Sequence, residues 1–241
     1  METLHISSRL KKIAKYIAKG SYFADIGSDH AYLPTYVCLN DPTSKAIAGE
    51  VNQGPFQNAQ DVVNTYDLTK QIDLRLGDGL DVLHTDLPDT LVIAGMGGKL
   101  IERILTDNLH QTLQINKLIL QPNIDADRLR KWFIEQNYYL THEEIVEEND
   151  HFYEILVAEQ IEHENVYDAS IDQAKQIYFG PLLLKERSTE FLKKWQLEKT
   201  NLQRIIKDMK QAKQINELKL NQFKNKLNWI EEVLNYESDN K

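Results

Sequence analysis

The chain has 241 residues and a net charge of −9, and its content of 41% hydrophobic and 27% charged residues is typical of a globular protein in water. Its longest apolar runs, such as residues 91–94, have only strand length and no apolar signal segment opens the sequence, so we expect no membrane span and a cytoplasmic location. A single cysteine, Cys38, excludes an intramolecular disulfide, and with seven dispersed histidines it argues against a metal site.

Strands and helices alternate from residue 6 to residue 158. Apolar residues at 3-4 spacing predict a first helix over residues 6–18, capped by Ser7 or Ser8 and ended by Gly20. Strands are predicted at residues 22–26, 45–50, 72–76, 91–94, 117–120, 138–146 and 152–158. Further helices are predicted at residues 33–39, 55–65, 99–105 and 127–135. This alternation indicates an α/β fold with a mostly parallel sheet, helices on both faces and an antiparallel hairpin at one edge.

The pattern changes after residue 159. Residues 178–181 (YFGP) indicate a turn, and no strand pattern follows them. Two apolar seams predict long helices that pack as an antiparallel hairpin of coiled-coil type, one through Leu192, Trp195, Leu202, Ile206 and Met209 and one through Leu220, Phe223, Leu227, Ile230 and Leu234. We therefore divide the chain into an α/β domain, residues 1–160, and a small all-α domain, residues 161–241.

The ends of the second and third strands carry residues suited to an adenosine ligand. Glu50 is placed to accept hydrogen bonds from two ribose hydroxyls. The Asp78 carboxylate and the Gly79 N–H are placed to bind an adenine amine and a ring nitrogen, with Val51 and Leu80 flanking the ring. Because ligands of open α/β sheets bind beyond the carboxyl ends of the strands, these residues predict one adenosine pocket.

The turn after the first strand distinguishes between adenosine cofactors. A dinucleotide site usually has the pattern G-x-G-x-x-G, but here Gly27 is followed by Asp29 and Tyr32 where that pattern has glycine. A carboxylate at Asp29 would repel a pyrophosphate and attract the amino and sulfonium groups of S-adenosylmethionine. Asp25 could bind the same amino group through water, and no P-loop motif is present.

Several longer motifs resemble one protein family. They are residues 24–34 (ADIGSDHAYLP), 48–51 (AGEV), 53–56 (QGPF), 75–80 (RLGDGL), 94–98 (AGMGG), 120–123 (LQPN) and 152–155 (FYEI). In these motifs the chain resembles the bacterial tRNA adenine-N1-methyltransferases that modify adenosine 22. The resemblance covers most of residues 1–160. It implies a Rossmann-like class I methyltransferase domain, S-adenosylmethionine as cofactor, tRNA as substrate and a C-terminal coiled-coil domain.

The strand-end pattern and the resemblance together predict the site residues. The residues expected to bind the cofactor are Asp25, Gly27, Ser28, Asp29, His30, Glu50, Val51, Asp78, Gly79, Gly95 and Met96. Asp29 is also the candidate catalytic residue, as an electrostatic stabiliser or as the acceptor of the N6 proton, with binding of the cofactor's amino group as its alternative role. The glycine loop at residues 95–98 replaces the Asn/Asp-Pro-Pro-aromatic loop of many amino-methylating relatives, which favours N1 over N6 as the target.

A basic segment indicates how tRNA would bind. Residues 1–159 contain 14 basic and 24 acidic residues. Residues 185–226 contain 12 basic residues, of which Lys213 is one, and 5 acidic residues. A basic surface beside an acidic domain can steer a polyanion, although a solvated coiled-coil face is the alternative interpretation. The candidate substrate contacts are Tyr32, Asn123, Tyr153, Lys193, Lys194, Arg204 and Lys207.

Other functions stay open at this point. A methyltransferase that acts on another RNA or on a small molecule would share the cofactor pocket, and so would a non-catalytic cofactor-binding scaffold. We expect a monomer, because the two helical seams can fold back on each other, but such seams can also pair between chains.

Overall fold

The computed structural model describes residues 4–84, 86–211, 214 and 216–235. The chain divides into two compact units, Met1–Leu182 and Leu183–Lys241. The division predicted after residue 160 falls earlier than this boundary, because the helix Gln173–Phe179 packs within the first unit.

A seven-stranded sheet forms the centre of the first unit. Its strands are β1 (Tyr22–Ile26), β2 (Lys45–Glu50), β3 (Ile72–Leu76), β4 (Thr90–Met96), β5 (Lys117–Pro122), β6 (Tyr139–Glu148) and β7 (His151–Glu159). Their order is β3-β2-β1-β4-β5-β7-β6. Strands β1 to β5 are parallel, and β7 pairs antiparallel with both β5 and β6, which confirms the predicted parallel sheet and edge hairpin.

Helices cover both faces of the sheet. They are α1 (Ser8–Ala14), α2 (Tyr32–Asn40), α3 (Gln53–Thr65), α4 (Gly98–Asp107), α5 (Leu109–Thr112), α6 (Ala126–Glu135) and α7 (Gln173–Phe179). Alternate residues of each strand enter opposite cores, since side chains in a strand have a period of two. Phe23 and Val92 pack with Ile13 of α1, whereas Leu91 packs with Ile101 of α4 on the other face. Burial on both faces explains why β1 and β4 are continuous apolar runs.

The first helix is shorter than its apolar spacing predicts. Ser7 is the cap, since its hydroxyl oxygen accepts a hydrogen bond from the Leu10 N–H at 3.2 Å. The α-helix ends at Ala14, because the Tyr16 and Ile17 N–H groups bond to the carbonyls three residues earlier, at 3.0 and 3.2 Å. This tightening to a 3₁₀-type turn is common where a helix ends.

A buried arginine joins the edge hairpin to the end of the first unit. Arg130 of α6 is fully buried, donates to Glu143 at 2.5 Å and also pairs with Glu154. It donates further to the Ile177 carbonyl oxygen at 3.1 Å, and Glu143 accepts from the Leu182 N–H at 2.9 Å. Burial raises the pKa of Glu143, and the guanidinium opposes that rise. The network therefore holds residues 177–182 against β6 and β7.

The second unit contains a helical hairpin. Helix α8 (Pro181–Glu186) leads into it, and helices α9 (Thr189–Gln211) and α10 (Glu217–Asn235) form it. The hairpin is antiparallel, because Lys199 pairs with Glu231 at 3.3 Å and Arg187, just before α9, donates to the Val233 carbonyl oxygen at 2.8 Å. Its buried side chains are Phe191, Trp195, Leu202, Ile206, Leu220, Ile230 and Val233. The predicted seam is confirmed at five of these positions, and near the end Val233 is buried in place of Leu234.

Two further findings apply to the described ranges. No helix there is both long enough and apolar enough to cross a membrane. No group of three or more His, Cys, Asp or Glu side chains in the same residues is arranged to hold a metal ion.

Candidate active site at the carboxyl edge of the sheet

The turn after β1 begins with a buried carboxylate and a constrained glycine. Asp25 is 4% exposed, and its carboxylate accepts a hydrogen bond from Ser28 Oγ at 2.6 Å. The N–H groups of Gly27 and Ser28 both donate to the Gly49 carbonyl oxygen, at 2.9 and 3.0 Å, which fastens the turn to β2. Gly27 has φ +70°, and a Cβ atom there would overlap Met96 Cε. The left-handed backbone therefore favours glycine at this position, and a Cβ would also have to displace the flexible end of Met96.

The next three residues adopt left-handed backbone conformations. Asp29, His30 and Ala31 have φ values of 36°, 65° and 54°. Each such non-glycine residue costs roughly 1–2 kcal/mol, and strain of this kind concentrates at functional sites. The Asp29 side chain is 81% exposed, with Oδ1 3.3 Å from His30 Nε2, and the His30 ring lies 5.4 Å from the Tyr32 ring. The turn thus presents an exposed carboxylate beside two aromatic rings beyond the end of β1.

Three carboxylates at this edge repel one another. Burial raises the pKa of Asp25 to about 6; the Ser28 hydroxyl and the Arg9 charge lower it, whereas Asp29 and Glu50 raise it further. A cationic group bound among them would relieve this repulsion and favour the ionised form of Asp25. The set therefore fits the amino and sulfonium groups of S-adenosylmethionine, which the motif resemblance implies, and is unsuited to a pyrophosphate.

The ends of β2 and β3 form the adjacent part of the site. Glu50 is 8% exposed, and its Oε1 accepts hydrogen bonds from the N–H groups of Val51 and Asn52, both at 3.0 Å. These bonds hold the carboxylate beside the Val51 side chain, which is 55% exposed. Asp78 is exposed at the start of a 3₁₀ turn after β3, where Gly79 has φ +51°. These groups can bind a nucleoside: the oriented Glu50 carboxylate suits a ribose, and the exposed Val51 side chain and Asp78 carboxylate suit an adenine ring.

The end of β4 and the loop that follows it are held by Gln121 of β5 and by Asn123, which follows β5. The register of β4 with β5 shifts between Ala94 and Met96, and Gly95, with φ +79°, lies at the irregularity. Its N–H donates to Gln121 Oε1 at 3.0 Å, and its carbonyl oxygen accepts from Asn123 Nδ2 at 2.7 Å. The Asn123 N–H also donates to the Met96 carbonyl oxygen at 2.7 Å. The loop therefore has a defined conformation next to the turn after β1.

An arginine from α1 completes this side of the site. The Arg9 guanidinium lies over the Tyr153 ring, 5.1 Å from its centroid, and donates through Nη1 to Gln121 Oε1. Its backbone N–H donates to Glu148 Oε1 at 3.2 Å, and its Nε lies 3.9 Å from Glu148 Oε2. Arg9 therefore connects α1, β5, β6 and β7 at one point.

The position of these groups in the fold is that of a ligand site. Strands β1 and β4 are adjacent, and the chain that leaves β1 packs on one face of the sheet while the chain that leaves β4 packs on the other. The crevice beyond such a switch point is where open α/β sheets bind ligands.

The family model described as TrmK, tRNA (adenine(22)-N(1))-methyltransferase, matches residues 23–232. That match runs from the start of β1 nearly to the end of α10. The chain belongs to the TrmK family. The resemblance stated from the motifs is therefore confirmed.

Individual relatives within the TrmK family are similar over nearly the whole chain. A protein of Bacillus subtilis (strain 168) named tRNA (adenine(22)-N(1))-methyltransferase is 41% identical over 238 residues, which cover 98% of this chain and 100% of that protein. The crystal structure of the B. subtilis m1A22 tRNA methyltransferase TrmK is 41% identical with a TM-score of 0.88, covering 96% of this chain and 100% of the other. A Streptococcus pneumoniae structure, described as a candidate tRNA (m1A22) methyltransferase in complex with S-adenosyl-L-methionine, is 37% identical with a TM-score of 0.83, covering 95% and 100%.

The sheet brings most of the predicted site residues to one edge. Those at the ends of β1, β2, β3 and β4 are Asp25, Gly27, Ser28, Asp29, His30, Tyr32, Glu50, Val51, Asp78, Gly79, Gly95 and Met96. Asn123 follows β5 in the parallel part of the sheet, and Tyr153 lies under Arg9. Their individual roles in binding and catalysis remain predictions of the TrmK-family assignment.

Other predicted substrate contacts lie in the second unit. Lys193, Arg204 and Lys207 are exposed on α9, and the Lys194 ammonium lies over the Trp195 ring at 4.4 Å. Lys213 lies outside the described residues. The role of this basic face in tRNA binding also remains a prediction.

One predicted contact is wrong, and two residues were missed. Leu80 was expected to flank the adenine ring, but it is completely buried in the core against α4 and has no exposed surface for a ligand. Sequence reasoning did not note Arg9, and it quoted Gln121 only within the motif at residues 120–123, with no role of its own. Arg9 reads as a polar residue on an amphipathic helix, so no local signal marked it. Gln121 could have been noticed, since a glutamine at the end of a buried strand needs hydrogen-bond partners.

Proposed function

We propose that this chain transfers the methyl group of S-adenosylmethionine to N1 of adenosine 22 in tRNA. Membership of the TrmK family over residues 23–232 supports the reaction and the substrate. The observation that carries the proposal is the alignment of Asp25, Glu50 and Asp78 with the Gly27 turn at one sheet edge. S-adenosylmethionine, when bound, supplies a methyl group activated by a positive sulfur.

The cofactor-binding roles follow from the chemistry of each group. Glu50, oriented by two N–H groups, accepts hydrogen bonds from the ribose hydroxyls. Asp78 and Gly79 bind the adenine edge, and the exposed Val51 side chain packs against the ring. Asp25 attracts the cofactor's amino group.

Methyl transfer to N1 asks the protein mainly for positioning. Adenine N1 already has a lone pair, so no base is needed to create the nucleophile, and alignment alone can lower a barrier by ~7–11 kcal/mol in favourable cases. Methylation gives S-adenosylhomocysteine and a positively charged adenine, and deprotonation at N6 would neutralise that charge. Asp29, an exposed carboxylate, stabilises that charge or accepts that proton, and its alternative role is to bind the cofactor's amino group.

The substrate base must reach this edge from a folded tRNA. We propose that adenosine 22 is flipped out of its stack to enter the site. Exposed cations of α9, among them Arg204 and Lys207, bind tRNA phosphates. A monomeric state and a cytoplasmic location complete the proposal.

The proposal is tested by methyl transfer from labelled S-adenosylmethionine to unmodified tRNA, followed by nucleoside mass analysis. A second tRNA with guanosine at position 22 is the substrate control. N1-methyladenosine from the first tRNA and none from the second is the expected result. Cofactor binding without product on either tRNA would favour another RNA, a small molecule or a non-catalytic scaffold.

The role of Asp29 is tested in the same assay with Asp29→Asn. If Asp29 is the proton acceptor, Asp29→Asn should lower kcat by about 100-fold or more and leave the Kd for S-adenosylmethionine unchanged. A cofactor-binding role would instead raise that Kd. Asp61→Asn, on an exposed position of α3, is the matched control and should change neither quantity.

A further inference from the structure

The irregularity in β4 removes the usual hydrogen-bond partners of one residue. Where β4 and β5 are in register, ladder hydrogen bonds pair their backbone groups, but Gly95 lies at the register shift between Ala94 and Met96. Two side-chain amides bind the backbone N–H and carbonyl groups of Gly95 instead. Gln121 Oε1 accepts from the Gly95 N–H at 3.0 Å, and Asn123 Nδ2 donates to the Gly95 carbonyl oxygen at 2.7 Å. The conformation of the loop after β4 therefore depends on how these two amides are oriented.

A primary amide can present either its oxygen or its NH₂ group to a neighbour, so something must select one orientation. Two donors make that selection together, the Gly95 N–H and Arg9. A guanidinium has only donors, and Arg9 Nη1 faces the same Gln121 oxygen as the Gly95 N–H, so the glutamine must present Oε1 to both. Gln121 is completely buried, which keeps its amide away from solvent.

The orientation then passes to the second amide. With Oε1 committed, the Gln121 NH₂ group points to Asn123 Oδ1 at 3.2 Å. Asn123 must therefore turn its own NH₂ group to the Gly95 carbonyl oxygen. The donor-only side chain of Arg9 on α1 thus adds to the Gly95 backbone groups in setting the direction of three successive hydrogen bonds.

We propose that Arg9 is a positioning residue for methyl transfer, which acts by orienting the Gln121 and Asn123 amides and thereby fixing Gly95 and Met96. Met96 Cε lies where a Cβ at Gly27 would be, so the loop that Arg9 fixes is the one that packs on the turn carrying Asp29. A displacement of this loop would misalign the groups at the switch point between β1 and β4. This inference rests on the proposed methyltransferase function.

Arg9 itself is held in place by contacts on three sides. Its guanidinium lies over the Tyr153 ring, its Nε lies 3.9 Å from Glu148 Oε2, and its backbone N–H donates to Glu148 Oε1. The side chain is only 21% exposed. A partly buried arginine with contacts to Tyr153, Glu148 and Gln121 is suited to set the orientation of its neighbours.

The experiment compares three substitutions in the full chain. Arg9→Met removes the donors and keeps an apolar stem, and Arg9→Lys keeps a donor-only cation. Gln121→Glu keeps the acceptor for Arg9 but replaces the NH₂ group, so an oxygen then faces Asn123 Oδ1. Arg128→Met, which removes an exposed arginine of α6 paired with Glu102 of α4, is the matched control.

The expected result is a fall in kcat of about 10- to 100-fold for Arg9→Met and for Gln121→Glu, since small misplacements of reacting groups are costly. The Kd for S-adenosylmethionine should stay within about twofold of that of the original protein, and Arg9→Lys should recover most of the activity. Hydrogen exchange at residues 94–98 should accelerate in the two impaired variants. Arg128→Met should match the original protein in all three measurements.

Three results would overturn the inference. The first is an unchanged kcat in Arg9→Met. The second is full activity in Gln121→Glu, which would show that the charge of Arg9 matters and the amide orientation does not. The third is a loss confined to cofactor affinity. If the original protein itself makes no N1-methyladenosine, the proposed function fails, whereas accelerated exchange at residues 94–98 in Gln121→Glu would still support the orienting network.

Discussion

Met96 fills the space that a side chain at Gly27 would need, so the loop after β4 and the turn after β1 are fitted to each other. Gly27 also has φ +70°, and its N–H donates to the Gly49 carbonyl oxygen at 2.9 Å. Two parallel strands therefore end in segments that depend on each other's shape. We expect substitutions in either segment to alter the proposed cofactor site.

Gly27→Ala should impair both stability and activity. The left-handed backbone alone costs an alanine roughly 1–2 kcal/mol, and the new methyl group must displace Met96. We expect a lower thermal midpoint and a kcat/KM reduced by about 100-fold, because the reacting groups are misplaced. Calorimetry and the tRNA assay would measure these effects.

Gly54→Ala is the matched control for that substitution. Gly54 lies in the first turn of α3, and a Cβ there would meet nothing within 4 Å. Activity should be unchanged and stability equal or slightly higher. If the two alanine variants behaved alike, the fit between Met96 and Gly27 would not matter.

Asp25→Asn should stabilise the cofactor-free protein above pH 6. Burial raises the pKa of Asp25 to about 6 from an ordinary value of 3.8, so between these values the native state holds a proton that the unfolded state has released. The ionised carboxylate therefore costs on the order of 2–3 kcal/mol above pH 6, and nothing below about pH 4, where both states are protonated.

Thermal unfolding across pH 4 to 8 would check this prediction. The difference in midpoint between Asp25→Asn and the original protein should be largest above pH 6 and shrink towards zero near pH 4. Asp61→Asn on α3 should show no such trend. A pH-independent difference would contradict burial as the cause of the shifted pKa.

Arg130→Met should strongly destabilise the first unit. Arg130 is fully buried between Glu143 and Glu154, and its removal leaves both carboxylates in the core without their cation. Breaking a buried pair in this way typically costs about 3–5 kcal/mol, which urea unfolding would measure. Lys131→Met, at a 70% exposed side chain next in the chain, should change stability by less than ~0.5 kcal/mol. Equal urea midpoints for the two variants would refute the assigned role.

Arg204→Glu and Lys207→Glu should weaken tRNA binding without changing cofactor binding. Both side chains are exposed on α9. Each lost phosphate contact should reduce the slope of log affinity against log salt by about one. Lys70→Glu is the charge-matched control, since Lys70 lies just before β3 at the opposite edge of the sheet from the cofactor residues. Unchanged binding in all three variants would make the basic side of α9 a solvated surface only.

Much of the architecture was predictable because its signals are local. The bounds of β1, β2 and β3 match the predicted ones, since short strands bounded by turn residues have a strong local signal. Glu50 and Asp78 could be predicted to lie together because parallel strands bring their carboxyl ends to the same edge. The antiparallel hairpin of α9 and α10 was predictable because the 3-4 spacing of apolar residues is also a local signal.

Only the tertiary structure determined the contacts between residues that are far apart in the chain. Arg9 and Gln121 are 112 positions apart, and they meet only because β7 joins β5 to β6 in the sheet and α1 packs on β6. Leu80 resembled a ring contact by its position after Asp78, but the packing of α4 buried it completely. Spacing within a segment sets which face a residue occupies, whereas strand order and helix packing set which residue it meets.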